Sequence, residues 1–214
     1  MDEPLHLREI RTSYDTVAAD YARLARPGFE ADVLGRSMLG AFAELVRAAG
    51  GGAVADAGCG PGHVTAYLRS LGLDAFGVEL SPGMVAVARR AYPGVRFDTG
   101  TMTALDAADG ELGGVVAWYS TVHTPPDELP AVFGEFVRAL APGAPVLLGF
   151  HTGDERRRKT EGYGGHPMAL DVYRRPPGRV AEQAARAGLV VDATLLRELA
   201  GPGGPQACLL LHKA

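Results

Sequence analysis

Apolar residues recur at helical spacing from Phe29 to Ala49, where Val33, Leu34, Met38, Phe42, Leu45 and Val46 share one face and Gly50 to Gly52 stop the run. Leu5 to Leu24 carries a more mixed helical pattern that ends at "RPG". Two helices are thus predicted ahead of residue 50. The period then changes. Ala53 to Ala57 is short and apolar apart from Asp56, like a strand buried on both faces, and His63 to Ser70 reads as a helix closed near Gly72. The unit repeats in "DAFGVEL" and "SPGMVAVARRAY", with Ser81 as N-cap and Pro82 in the first turn, where a missing donor costs little. "VRFDTG", "GGVVAWYS" and "APVLLGFH" supply three further strands, and "DELPAVFGEFVRAL" a helix before the last of them. Such alternation predicts an α/β fold, a mostly parallel sheet with helices on both faces.

After His151 the pattern breaks. Residues 151–178 are polar, charged and rich in glycine and proline, which marks a substrate-facing lid, and "ERRRK" at 155–159 reads as a solvated loop. The helix "RVAEQAARAG" resumes the alternation. "LVVDATLLREL" and "QACLLLHKA", joined by "AGPGGP", then predict a C-terminal antiparallel hairpin. The expected layout is a single domain over 1–214: a helical cover (1–50), a core (53–150), the lid (151–178), and a final helix with the hairpin (179–214).

Composition narrows the function classes. With 214 residues, 47% of them hydrophobic, the chain fills one core. It has no apolar run long enough for a membrane span, and its start is too polar and acidic for a signal peptide, so a cytoplasmic protein without membrane contact is expected. The two cysteines, Cys59 and Cys208, make neither a disulfide framework nor a zinc site. A net charge of -4 argues against nucleic acid as a partner. His123, His151 and His166 could meet over a crevice, but their spacing and the absence of a carboxylate pair predict no metal.

The chemistry concentrates in "VADAGCGPGHVT". In an open α/β sheet, ligands bind beyond the carboxyl ends of the strands, where glycines admit the backbone and a helix N-terminus offers free N–H groups. The spacing Gly58, Gly60, Gly62 differs from a dinucleotide loop, having His63 where the last glycine would fall. Asp56, two positions ahead, suits an ammonium or sulfonium charge better than a pyrophosphate. Glu79, at the end of the second strand, can accept from both hydroxyls of a ribose. A nucleoside joined to a charged amino acid describes S-adenosylmethionine. Here the sequence resembles the class I S-adenosylmethionine-dependent methyltransferases, "DAGCGPG" being similar to their first motif and "GVELSPGMV" to their second.

That resemblance covers Ala53 to Phe150 and the terminal hairpin in outline, and implies a Rossmann-like, mostly parallel seven-stranded sheet. It implies that Asp56, Gly58 and Gly60, with Ala57 and Cys59 in the same loop, hold the methionine part of the cofactor. Glu79 would hold the ribose, and Leu80 and Met84 would flank the adenine. The third motif is Gly100, Thr101, Met102, where Thr101 replaces the usual acid. Trp118, Tyr119, Ser120 and His123 would line the site at the end of the fourth strand. "SYDTVAADYARL" resembles the family's N-terminal cover and brings Tyr14 and Tyr21 to the methionine end. The Cys59 thiol reads as a small filler, since no base adjoins it. His123 is the candidate general base, with Tyr14, Tyr119 and His166 orienting an acceptor. The expected activity is methyl transfer at oxygen, nitrogen or carbon to a small molecule, an aromatic, heterocyclic or cyclic-dipeptide-like natural product, with S-adenosylhomocysteine released. The enzyme would act as a monomer or homodimer. An NAD(P)-dependent oxidoreductase and a non-catalytic nucleoside-binding protein are the competing readings.

Overall fold

The computed structural model describes residues 4–199 and 203–214; part of the "AGPGGP" turn and the first three residues lie outside the described residues. Seven strands form one sheet in the order β3-β2-β1-β4-β5-β9-β8. They are β1 (Ala53–Ala57), β2 (Asp74–Glu79), β3 (Phe97–Thr99), β4 (Gly114–Trp118), β5 (Pro145–His151), β8 (Leu189–Arg197) and β9 (Gln206–Lys213). The first five run parallel, and β9 lies antiparallel between β5 and β8. The chain order reverses between β1 and β4, the point at which open sheets leave a crevice.

Two apolar layers clothe the sheet. On one face, α2 (Val33–Ala48) and α3 (His63–Ser70) bury Leu39, Phe42, Val46, Val64 and Leu68 against β1, β2 and β9. On the other, α5 (Leu129–Ala139) and α6 (Pro177–Ala187) bury Leu129, Phe133, Phe136 and Val180. The α4 helix (Pro82–Ala91) begins as expected: Ser81 caps it, its Oγ accepting from the Met84 N–H at 3.1 Å. Among the described residues, no helix is long and apolar enough to cross a membrane.

The helical boundaries near the start differ from the sequence pattern. The first helix, α1, spans Leu5–Ala31 and runs through Pro27; the break comes at Asp32, whose carboxylate accepts from the Gly35 N–H at 3.0 Å and starts α2. Proline ends a helix through its missing donor only if the turn behind it stops, and here the capping carboxylate five residues on sets the stop.

Residues 151–178 are also more ordered than their composition suggests. "ERRRK" is largely strand: β6 (Arg156–Gly162) pairs antiparallel with β7 (His166–Tyr173) in a separate two-stranded sheet. The basic side chains find carboxylates: Arg158 meets Glu9 at 2.8 Å, and Arg156 meets Asp171 at 2.8 Å. The hairpin grips the outer side of α1, where Ser13 Oγ accepts from the Ala169 N–H at 2.9 Å.

Candidate active site

The register of the parallel strands places their last residues in a row. Asp56 stands opposite Gly77, Glu79 opposite Thr99, and Trp118 opposite Gly149. Because β9 is antiparallel, its first residue, Gln206, arrives opposite His151 at the same edge. Over this edge lies α1, and between the two is a cavity of about 390 Å³. Asp15 of α1 helps to seat it, accepting from Ser81 Oγ at 2.6 Å and from the Gly83 N–H at 2.8 Å.

The glycine loop is built by its glycines. Gly58 and Gly60 have φ of 78° and 53°, and a Cβ on Gly58 would fall 2.3 Å from the Ser120 Cβ. Cys59 borders the cavity and packs with Val85, Ala88 and Phe97, where burial pushes its thiol up. Ala57 is fully buried and does not border the cavity, because the pleat turns it from the face that Asp56 shows.

Asp56 is 1% exposed. Its Oδ2 accepts from Thr65 Oγ1 at 2.6 Å, whereas Oδ1 is buried without a partner. Loss of water pushes this carboxyl up to about 7. Glu79 is held by two backbone donors, the Gly60 N–H at 2.9 Å and the Ser81 N–H at 2.8 Å, one on each oxygen. Burial raises its carboxyl and those two bonds pull it back. Each oxygen keeps a further lone pair for a ligand. Leu80, Met84, Gly100, Thr101 and Met102 border the same cavity, but Thr101 turns its hydroxyl to Thr103, accepting from that N–H at 3.1 Å.

Tyr14 and Tyr21 share one face of α1 and meet edge to face at 5.8 Å. The Tyr14 hydroxyl lies 2.7 Å from His123 Nε2, and His123 Nδ1 lies 2.7 Å from the backbone carbonyl of Asp171. A carbonyl only accepts, so Nδ1 carries the proton. Burial depresses His123 to about 4, so the ring is neutral, Nε2 is a lone pair, and Tyr14 donates to it. The near-neutral titration expected of His123 is thereby corrected: burial removes water from the ring, and Lys159, His151 and Arg175 further disfavour its charge. Arg175 carries the short helix Thr121–His123, donating to the carbonyls of Thr121 (3.1 Å) and Thr124.

Trp118, Tyr119 and Ser120 border the cavity. Trp118 packs on the α2 side, among neighbours that include Phe29, and Tyr119, at φ 54°, donates its hydroxyl to Gln206 Oε1. His166 is not part of the lining. It pairs instead with Asp20 of α1 at 2.8 Å on the hairpin side. No residue from 152 to 178 is among those bordering the cavity, whereas α1, in the expected helical cover, contributes Tyr14 and Tyr21.

Residues 54–143 match the family described as "Methyltransferase domain". Over these residues the chain resembles a methyltransferase domain. It is 34% identical over 118 residues to malonyl-[acyl-carrier protein] O-methyltransferase of Pectobacterium atrosepticum, covering 50% of this chain and 46% of that protein. It is 34% identical over 104 residues to 2-heptyl-1-hydroxyquinolin-4(1H)-one methyltransferase of Mycobacteroides abscessus, 45% of each. The chain thus spans about half the length of these curated relatives. Among solved structures, Burkholderia thailandensis 1,6-didemethyltoxoflavin-N1-methyltransferase, with 1,6-didemethyltoxoflavin and S-adenosylhomocysteine bound, shares the fold at a TM-score of 0.72. The identity is 20%, over 100% of this chain and 93% of that one.

The fold also brings residues to the cavity that the sequence reading passed over: His6, Phe29, Asp32, His63, Glu128 and Gln206. Only His63 had a signal, standing next to the glycine loop; its Nδ1 is buried without a partner and desolvation lowers it to about 4. Gln206 could be found only from the register of β9 on β5.

Proposed function

We propose that this chain binds S-adenosylmethionine and transfers its methyl group to a small aromatic or heterocyclic acceptor. The observation that carries the reading is Asp56: a buried carboxylate bordering the cavity with one oxygen unpartnered, which the ammonium of an amino-acid ligand would satisfy. Glu79 has lone pairs left for ribose hydroxyls, and the N-terminus of α3, opening at Gly62, suits the cofactor's carboxylate. Leu80 and Met102 offer apolar contact to a base. An aromatic acceptor is supported by the wall of Phe29, Trp118 and Tyr119. The Mycobacteroides abscessus relative, named for a hydroxyquinolinone, and the Burkholderia thailandensis neighbour, solved with 1,6-didemethyltoxoflavin, favour the same class.

When bound, the cofactor supplies a methyl group on positively charged sulfur, already activated for displacement. The chain's work is to hold an acceptor in line, exclude water and receive a proton. Tyr14 gives its own proton to His123, so its oxygen can accept from the acceptor's O–H or N–H. As that proton moves to Tyr14, the Tyr14 proton passes to His123 Nε2, and Nδ1 stays on the Asp171 carbonyl. A base near 4 suffices, because an oxygen or nitrogen gaining a methyl group becomes strongly acidic. The test is turnover with methyl-labelled cofactor on a panel of aromatic phenols and N–H heterocycles. Labelled product from at least one supports the reading; tight cofactor binding without any transfer favours the non-catalytic alternative.

A further inference from the structure

The cavity is charged in one sense. Among the described residues, four carboxylates border it, Asp32, Asp56, Glu79 and Glu128, and no lysine or arginine does. The nearby cations are all committed elsewhere. Arg197 makes a bidentate pair with Asp32 at 2.7 and 2.8 Å, and Arg175 is buried on backbone carbonyls. Lys159 sits 3.9 Å over the Tyr163 ring, and the basic run of β6 is paired on the outside. The histidines on the wall add no charge: burial lowers His63, His123 and His151. His6 faces Glu128 at 3.2 Å. Besides the carboxylates, wall groups that remain as acceptors include the oxygen of Tyr14, the Ser120 hydroxyl, and the unpartnered Nδ1 atoms of His63 and His151.

We propose that this cavity takes its acceptor uncharged, still carrying an O–H or N–H proton, and rejects carboxylic acids. The inference rests on the methyl-transfer reading and adds the class of acceptor. With S-adenosylhomocysteine bound, whose sulfur is neutral, a carboxylate would enter a site bordered by carboxylates, lose its water and find no side-chain cation, whereas a neutral donor meets several acceptors. The α3 N-terminus, which opens at Gly62, is taken up by the cofactor's own carboxylate.

The test uses the full chain saturated with S-adenosylhomocysteine. Thermal shift and calorimetry compare matched aromatic pairs that differ only in carrying a hydroxyl or a carboxylate, such as 4-hydroxyquinoline and quinoline-4-carboxylate, across several ring systems. The hydroxyl members should bind at least about tenfold tighter. Equal or tighter binding of the acids overturns the proposal, and so does binding of neither set while S-adenosylhomocysteine stays bound. Failure to bind S-adenosylhomocysteine overturns the methyl-transfer reading instead. Glu128→Lys, at a half-buried rim position, supplies a side-chain cation. It should shift the preference toward the acids about tenfold relative to their hydroxyl partners; no relative gain for the acids counts against charge selection.

Discussion

If Asp56 holds the proposed ligand's ammonium, its ionisation and ligand binding are linked, because burial holds the carboxyl near 7 while one oxygen lacks a partner. Raised above its usual 3.8, it makes a stability contribution that is present at low pH and lost as pH climbs to about 7. A cationic ligand reverses this by favouring the ionised form. Affinity for S-adenosylhomocysteine should therefore fall about tenfold per pH unit below 7, level off above it, and be accompanied by proton release at acid pH. Calorimetry in buffers of different ionisation enthalpy measures that proton. Asp56→Asn should cost about 2 kcal/mol of binding and flatten the pH dependence. Tyr14→Phe removes the proton path and leaves the ring: kcat should drop roughly a hundredfold with cofactor affinity intact. At saturating cofactor, wild-type kcat should stay level from pH 6 to 8, since His123 titrates near 4. A rise across that range would restore a base titrating near neutral pH.

At the scale of elements, the loop and the cover depend on a few close approaches. A Cβ on Gly62, at φ 82°, would fall 2.6 Å from the Phe97 ring, so Gly62→Ala should lower stability by about 1–3 kcal/mol, read as a fall in the thermal midpoint. Arg175→Met should cost about 3 kcal/mol by orphaning the carbonyls of Thr121 and Thr124, and should cut kcat because those residues flank His123. These elements show where sequence is informative. The strands and helices from Ala53 to Phe150 were legible because each carries its own period, and the Asp56 to Gly62 loop because its chemistry is local. The β6–β7 hairpin was not, since its strands bury little and are held by Glu9, Ser13 and Asp20, far away in sequence. The same distance hid the true partner of His166.

For the molecule as a whole, the sheet's strand ends and the α1 cover together make a cavity whose polar lining is partly residues named from sequence, such as Asp56, Glu79, Tyr14 and His123, and partly residues visible only in three dimensions. Asp56 and Glu79 were legible because a strand places its final carboxylate at the crevice whatever surrounds it. Asp32, Glu128 and Gln206 were not, because they reach the cavity through a helix junction, a helix start and an antiparallel return. The central claim is that the cavity under α1 holds S-adenosylmethionine through these two carboxylates. The most direct measurement is calorimetric titration of the wild-type chain, Asp56→Ala and Glu79→Ala with S-adenosylhomocysteine at pH 8. The account predicts one site per chain with micromolar affinity, weakened at least tenfold in each variant. Absence of wild-type binding, or equal affinity in all three proteins, would contradict it.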